Sequence, residues 1–594
     1  MAIRNFLSVL ILSTCLPAAI FAQEVSLDVA GDDETLQTRL ETASLGLALE
    51  EDGATSPQDY IAAARADYRR LLTGLYSAGY YGGTISILVD GIEASRLDPL
   101  VRRTSVGRVE MRVIPGPQFT FGRAEIAPLP PGTQLPEVFG TGQTAGSDAI
   151  TQAAAAGIDG WRNDGRPLAR VAAEQITARH ADSALDVAVT LAPGPRLTFG
   201  TITVDGNEAV RTDRILAIAG LRAETYDPAE IATAEANLRR TGAFASATVI
   251  EADAAVDGTL PLTLSVVEQP ARRIGAGIEF STVSGLTLSG FWLHRNLLGG
   301  AERLRIDAEV TGLSGGTGGI DYSLGAAFLR PATFRSDTDF YANASIAQLD
   351  EPNFFERDVS AEAGIIRRIG EDVELQFGLG LAAGEVEDDL GERSYSLIYL
   401  PLEGTIDRRN DPFNPTSGYF ANLSIAPFAG FDDTDSGARI VGDGRIYRSF
   451  GEDDRVTLAF RSQIGSILGA DADAVPASYL FFSGGGGTVR GQPFQSLAVD
   501  LGGGNETGGT SFFGAQLEAR VNVTDTIGVV GFYDTGFVGT DDLPFENGEW
   551  HAGAGLGLRY NTGIGPIRLD VATPTTGDKA GERIEVYIGI GQAF

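Results

Sequence analysis

The sequence predicts an export signal, then three small α+β domains, then a transmembrane antiparallel β-barrel of about sixteen strands. Three observations carry this. A segment of the N-terminal third recurs about 78 residues later, the mark of an array of similar modules. From residue 272 onward the chain alternates apolar and polar residues between turns rich in Gly, Asp, Asn and Pro. Inside that alternating half, residues 484–492 read GGGGTVRGQ and set one arginine, Arg490, in a long connection crowded with glycine and poor in charge.

Composition sets the bounds. The chain has 594 residues, enough for several domains, and a net charge of −34, which argues against nucleic-acid binding through a broad basic surface. Its 76 Gly, 30 Phe and 16 Tyr suit strands and turns better than helices. Residues 1–22 carry one early Arg, a short apolar run and a small residue, Ala22, before Gln23, the form of a secretory signal peptide. Cys15, the one cysteine, falls inside it, with Thr14 before and Leu16-Pro17 after, a poor lipoprotein context. The mature chain therefore has no thiol for disulfides or thiolate chemistry. Past Ala22 no apolar run approaches the length of about 18 residues that a helical span needs, so a membrane crossing, if made, is made by strands.

The matched segments are PGPQFTFG at 115–122 and PGPRLTFG at 193–200. Each follows an alternating strand (109–114; 185–191) and opens another (123–126; 201–204). Helix starts repeat too: Ser56-Pro57-Gln58-Asp59 and Asp227-Pro228-Ala229-Glu230 both offer a cap, a Pro at the first helical position and an acid three residues after the cap. Ile61, Ala64, Tyr68, Leu71 and Leu75 then follow helical spacing. Both helices stop at a glycine near aromatics, Gly79-Tyr80-Tyr81 and Gly242-Ala243-Phe244. The module reads β-α-α-β-β, at residues 23–115, 116–193 and 194–270, the middle copy being the least regular. Exposed sheet edges in such modules invite strand addition, although no residue singles out one groove.

In the C-terminal half the alternation is sharp in places. Phe513, Ala515, Leu517, Ala519, Val521 and Val523 share one face of 511–524; Gln516, Glu518, Arg520 and Asn522 share the other. In 566–572, Ile567, Leu569 and Val571 oppose Arg568 and Asp570. Charged residues recurring on the non-apolar face over 271–594 fit a barrel with an apolar exterior and a wet lumen better than a soluble sandwich. The expected last strand, 582–594, places Ile584, Val586, Ile588, Ile590 and Phe594 on one face. Gly589 and Gly591 weaken it, which makes the closing strand either a bend of the barrel or an openable seam.

The matched turns, helix starts and strands of the N-terminal third resemble POTRA domains. Thr488-Val489-Arg490-Gly491-Gln492 resembles the VRG(F/Y) loop motif of the outer-membrane-protein-assembly superfamily, the POTRA-plus-barrel, BamA-like proteins. Residues 295–302 (RNLLGGAE), 407–419 (DRRNDPFNPTSGY) and 557–570 (GLRYNTGIGPIRLD) resemble three further motifs of that family. The resemblance implies a loop folded into the barrel, Val489, Arg490 and Gly491 at its tip, and Arg490 latched to Glu518 and Asp534 on the next two strands. It implies a seam between the first strand, around Gly275, and the last, at Ile588, Gly589, Ile590 and Gly591, and a C-terminal recognition signal ending in Phe594. It departs from the family at Gln492, where an aromatic is usual, which puts the packing of the loop tip in question. The count of three modules is most like the TamA branch, which implies autotransporter-like unfolded clients, outer-membrane lipid surroundings and an inner-membrane-anchored TamB-like partner. The alternatives are a two-partner-type secretion pore and a BamA-like general insertase.

Enzyme readings find little support. His180, His294 and His551 have no metal-pair spacing, so no metal or cofactor site and no catalytic residue is expected. Gly484–Gly487 lacks the lysine of a phosphate loop; the chain's one lysine is Lys579.

Overall fold

The computed structural model describes residues 24–594 apart from 54–55, 99–102, 223, 282–284, 314–317, 452–453, 564 and 578–579. The expected export signal at 1–22 lies outside the described residues. The described residues form two compact units, one within 24–201, 224–228 and 251–261, the other within 202–222, 229–250 and 262–594.

The first α+β domain runs β1 (Glu24–Val29), α1 (Glu34–Ala43), α2 (Leu45–Glu51), α3 (Pro57–Ser77), β2 (Thr84–Val89), β3 (Ile92–Glu93) and β4 (Arg108–Ile114). Helix α3 starts where capping chemistry allows: the Ser56 side chain accepts the Asp59 amide and Pro57 takes the first turn. Its apolar stripe, Ile61, Leu71 and Leu75, packs on Ile87, Val109, Met111 and Val113 of the sheet. Buried Asp67 on α3 accepts from Ser44 Oγ and the Leu45 and Gly46 amides, which fixes the α1–α2 junction. The sheet order is β1-β4-β2-β3, with β1 parallel to β4.

The second domain runs β5 (Thr120–Ala127), α4 (Ser147–Asn163), β6 (Arg170–Arg179) and β7 (Ala184–Ala192), sheet order β5-β7-β6. It has one helix where the repeat predicts two. Residues 128–146 fill the other helix's place, and Pro128, Pro130, Pro131 and Pro136 remove the amide donors a helix needs there. The third domain runs β8 (Thr198–Asp205), α5 (Thr212–Ala219), α6 (Pro228–Arg240), β9 (Phe244–Glu251) and β10 (Thr259–Glu268), sheet order β8-β10-β9. In all three sheets the first strand lies beside the last, so the sequence repeat is also a topological one.

The remaining sheet has 17 strands in sequence order. It begins β11 (Arg272–Ser281), β12 (Gly285–His294), β13 (Arg303–Thr311), β14 (Asp321–Arg335), β15 (Thr338–Glu351) and β16 (Phe354–Ile369). It continues β17 (Val373–Asp388), β18 (Gly391–Tyr399), β19 (Leu402–Asp407), β20 (Gly418–Phe431), β21 (Gly437–Phe450) and β22 (Val456–Leu468). After a loop containing the hairpin β23 (Val499–Gly502) and β24 (Asn505–Thr507), it ends β25 (Ser511–Asn522), β26 (Ile527–Gly539), β27 (Gly548–Tyr560), β28 (Ile567–Pro574) and β29 (Glu585–Ile590). Strands β18 and β19 both pair with β17 and β20, separated at Leu400-Pro401, where proline cannot donate to a ladder.

The sheet curls around the loop at 469–510. Val475, Leu480, Phe481 and Leu497 of the loop share one apolar cluster with Phe354 of β16, Val386 of β17, Phe428 of β20 and Phe512 of β25. The inward face thus holds this apolar cluster together with buried charges, while the outward face is apolar. Glu518, Asp534 and Asp570 are 0% exposed, whereas Leu517, Leu556 and Ile588 are 52%, 73% and 74% exposed. Among the described residues, β11 and β29 each pair with one neighbour, and β29 contributes 6 residues to its ladder against 13 for β26 with β27.

The end of the chain departs from the expected strand. Ile584, Val586, Ile588 and Ile590 face outward, but Phe594 is 6% exposed and packs against Tyr447 and Ala459. Gly591, at φ +89°, turns the chain inward after β29, a conformation closed to most side chains. The exposed row thus stops at Ile590.

Candidate functional site

Arg490 is the centre of the inner wall. Tight turns bring it there: Gly484 and Gly485 have φ of +118° and +86°, Gly491 +93°. Thr488 Oγ1 accepts from the Gly484 amide and donates to its carbonyl, closing the loop on itself. The tip then meets backbone so closely that a Cβ at Gly491 would lie 2.6 Å from the Thr573 carbonyl oxygen. Likewise a Cβ at Gly553 of β27 would lie 2.0 Å from the Arg490 oxygen.

The guanidinium is 1% exposed and fully engaged. Nε and Nη2 donate to the two oxygens of Asp534 at 2.7 and 2.9 Å, and the Arg490 amide adds a third bond to the same carboxylate at 3.1 Å. Nη1 donates to Glu518 at 2.6 Å and to Asp570 at 3.3 Å. The Phe532 ring centroid lies 3.6 Å from the guanidinium carbon. Such a fork between carboxylates and over an aromatic face is arginine's own chemistry, which lysine's point charge does not reproduce.

The predicted residues Arg490, Glu518 and Asp534 are thus brought together, and Val489 is fully buried beside Gly536 of β26. Gly491 donates its amide to the Tyr587 hydroxyl of β29 at 3.1 Å, which ties the tip to the last strand. Gln492, the departure from the family pattern, is buried and spans two carbonyls, Ala552 at 3.0 Å and Thr576 at 3.4 Å. Gly275 lies on β11, where a Cβ would clash with the Phe291 ring at 2.3 Å. Ile588, Gly589 and Ile590 lie on β29 at the other end of the strand order, with Gly591 just beyond.

Several partners were not anticipated. Asp570 of β28 is a third carboxylate on the latch and also accepts from Arg559 of β27. Arg520 of β25 donates to Glu518 at 2.8 Å and to the Phe594 main-chain oxygen at 3.1 Å, and its guanidinium lies 5.5 Å from the Phe594 ring. Two-residue periodicity puts Arg520 with Glu518 and Arg568 with Asp570 on one face, but cannot say which strands curl close enough to touch.

Comparison with known proteins follows the same division. The Omp85 superfamily domain matches residues 296–594, half of the chain. The outer membrane protein assembly factor BamA of Nitratidesulfovibrio vulgaris is 22% identical over 433 residues, covering 69% of this chain and 53% of the relative. BamA of Neorickettsia risticii is 22% identical over 450 residues, covering 70% and 57%. The chain spans a little over half the length of these curated relatives. Among solved structures, BamA from Haemophilus ducreyi lacking POTRA domains 1–3 superposes with a TM-score of 0.60 at 16% identity, covering 79% of this chain and 98% of that one. That likeness shows the fold, a barrel preceded by POTRA-like α+β domains.

Proposed function

This chain belongs to the Omp85 superfamily, and on that footing we propose that it is an outer-membrane assembly factor that inserts unfolded β-barrel clients. The observation that carries the reading is the contrast between the two ends of the strand order. The first strand presents a ten-residue ladder, whereas the last pairs over six residues before Gly591 turns the chain away. A client strand paired to such an edge has its backbone donors and acceptors met before it enters lipid, where unmet ones are costly.

In this reading β18 and β19 form one interrupted stave, so that the barrel has sixteen, and the outward apolar face contacts the outer membrane. Residues 1–22 direct export and are removed; 23–115, 116–193 and 194–270 are periplasmic POTRA domains; 271–594 is the barrel. The loop tip at Val489, Arg490 and Gly491 keeps the lumen filled while the seam works. Three modules favour a TamA-like role with autotransporter-like clients and an inner-membrane-anchored TamB-like partner over a BamA-like general insertase.

A chain without mature cysteines makes the test direct. One cysteine is placed within Arg272–Ile278 and one within Glu585–Ile590, and the pair that cross-links is found on gels. Assembly of an autotransporter reporter is then followed with the bond oxidised and reduced. Insertion through the seam requires a block on oxidation and recovery on reduction. If the bond forms and assembly continues, clients pass by the lumen, and a two-partner-type secretion pore replaces this reading.

A further inference from the structure

Beside the latch, the inner wall holds two arginines with unmet donors. Arg559 and Arg568 are register partners across β27 and β28, on the inward face. Like charges directly opposite on one sheet face repel, and away from bulk water little screens them. Arg559 is 2% exposed; Nε donates to Gln592 Oε1 at 2.8 Å, and Nη1 donates to Asp570 and the Leu558 carbonyl. Its Nη2 is buried without a hydrogen-bond partner. Nε and Nη1 of Arg568 are buried without one too.

Gly589 of β29 faces Arg568, and a Cβ there would sit 2.9 Å from Arg568 Nε. A side chain at 589 would crowd that flank of the guanidinium. The nearby carboxylates are already shared: Glu518 by Arg490 and Arg520, Asp570 by Arg490 and Arg559, with Asp534 on Arg490 alone. Four guanidiniums therefore face three carboxylates in a chain whose overall charge is −34. Unmet buried donors in a native wall call for a partner. An oxyanion supplies two acceptor oxygens and the missing negative charge together.

We infer that Arg559 and Arg568 form an oxyanion site on the inner wall beside the closing strand, and that its ligand is a carboxylate carried by an entering polypeptide, an aspartate or glutamate side chain. The choice of polypeptide rests on the insertion reading; the site itself does not. Free phosphate shares the chemistry, so the test separates the two.

The test uses the full chain in detergent and no assembly assay. A fluorescent, end-blocked pentapeptide with one glutamate is titrated against its glutamine twin, with inorganic phosphate as competitor and chloride at equal ionic strength as control. The expected result is binding of the glutamate peptide at least tenfold tighter than the twin, lost in Arg568→Gln and in Gly589→Val. Arg568→Gln should itself raise the unliganded unfolding temperature, because it removes the repulsion. For the wild-type chain, the glutamate peptide should protect Arg568, the partly exposed member of the pair, from phenylglyoxal, mapped by mass spectrometry, so the test stands even if a variant fails to fold. Equal binding of the two peptides, with labelling unaffected by peptide or phosphate, overturns the site. Protection by phosphate alone overturns the polypeptide ligand. A seam cross-link that forms without blocking assembly, with intact peptide binding, would count against insertion and leave the site standing.

Discussion

Asp534 receives three hydrogen bonds from Arg490, and Phe532 covers the guanidinium, so little else can satisfy that carboxylate if the arginine goes. Arg490→Ala should therefore destabilise the closed loop by about 3–5 kcal/mol, the usual cost of orphaning one partner of a buried pair. Limited proteolysis of 469–510 and urea unfolding of the full chain measure it. Arg490→Lys should recover only part, because an ammonium cannot reach two carboxylates as a fork. Arg490→Glu combined with Glu518→Arg should also recover part; if neither single change alters loop accessibility, the latch idea is wrong. The glycines give an independent check. Gly491→Ala meets both a positive φ and the Thr573 backbone, whereas a Cβ at Gly487 meets nothing within 4 Å. The first should loosen the loop as Arg490→Ala does, and the second should be close to neutral.

At the scale of elements, local chemistry was legible and tertiary choices were not. Ser56 and Pro57 announce α3, and the alternation at 511–524 separates Glu518 and Arg520 from Leu517 because strand periodicity fixes faces. The single helix of the second domain was masked by the repeat itself, although four prolines in 128–146 spoke against a second. The inward tail was missed because a period of two continues through Gly591 on paper, while a left-handed glycine ends it in space. Asp570 was visible as an inward carboxylate but not as a latch partner, since contact across β25, β26 and β28 depends on curvature. Helix caps also carry a pH prediction. The Asp33 carboxyl, which caps α1, is held below the usual carboxylate range chiefly by its bond from the Leu36 amide, with the Tyr80 hydroxyl adding to it. A lowered pKa in the folded state means the cap's contribution is fully present above the ordinary value of about 3.9 and is lost as pH falls through the folded value. Hydrogen exchange over residues 34–43 should accelerate in that acid range relative to Asp33→Asn at matched pH, because asparagine caps without titrating. Identical profiles would remove the cap's role.

The whole molecule divides unevenly, and the third domain shows why. Arg214 of α5 is 9% exposed and donates to the Pro331 carbonyl at 2.5 Å and the Ala332 carbonyl at 3.3 Å, in the irregular last stretch of β14 before its turn to β15. The Arg211 amide donates to the Gly299 carbonyl at 2.9 Å and its side chain to the Leu298 carbonyl at 2.6 Å, within the RNLLGGAE segment. Glu302 is buried there and accepts from the Leu298 and Gly300 amides, which shapes the turn that α5 grips. These bonds lie inside the larger compact unit, so the barrel's own turns complete the seat of the third domain. Removing residues 24–192 should leave a chain that still runs as a compact, heat-modifiable barrel on gels yet fails to assemble clients. Arg214→Ala in the full chain should weaken the seat by about 1.5–3 kcal/mol, the range for hydrogen bonds made by a charged group, and hydrogen exchange at 330–339 should rise while the Arg490 loop stays protected. If the shortened chain does not fold, the barrel depends on the first unit; if exchange at 330–339 is unchanged in Arg214→Ala, the seat is held by something other than this arginine.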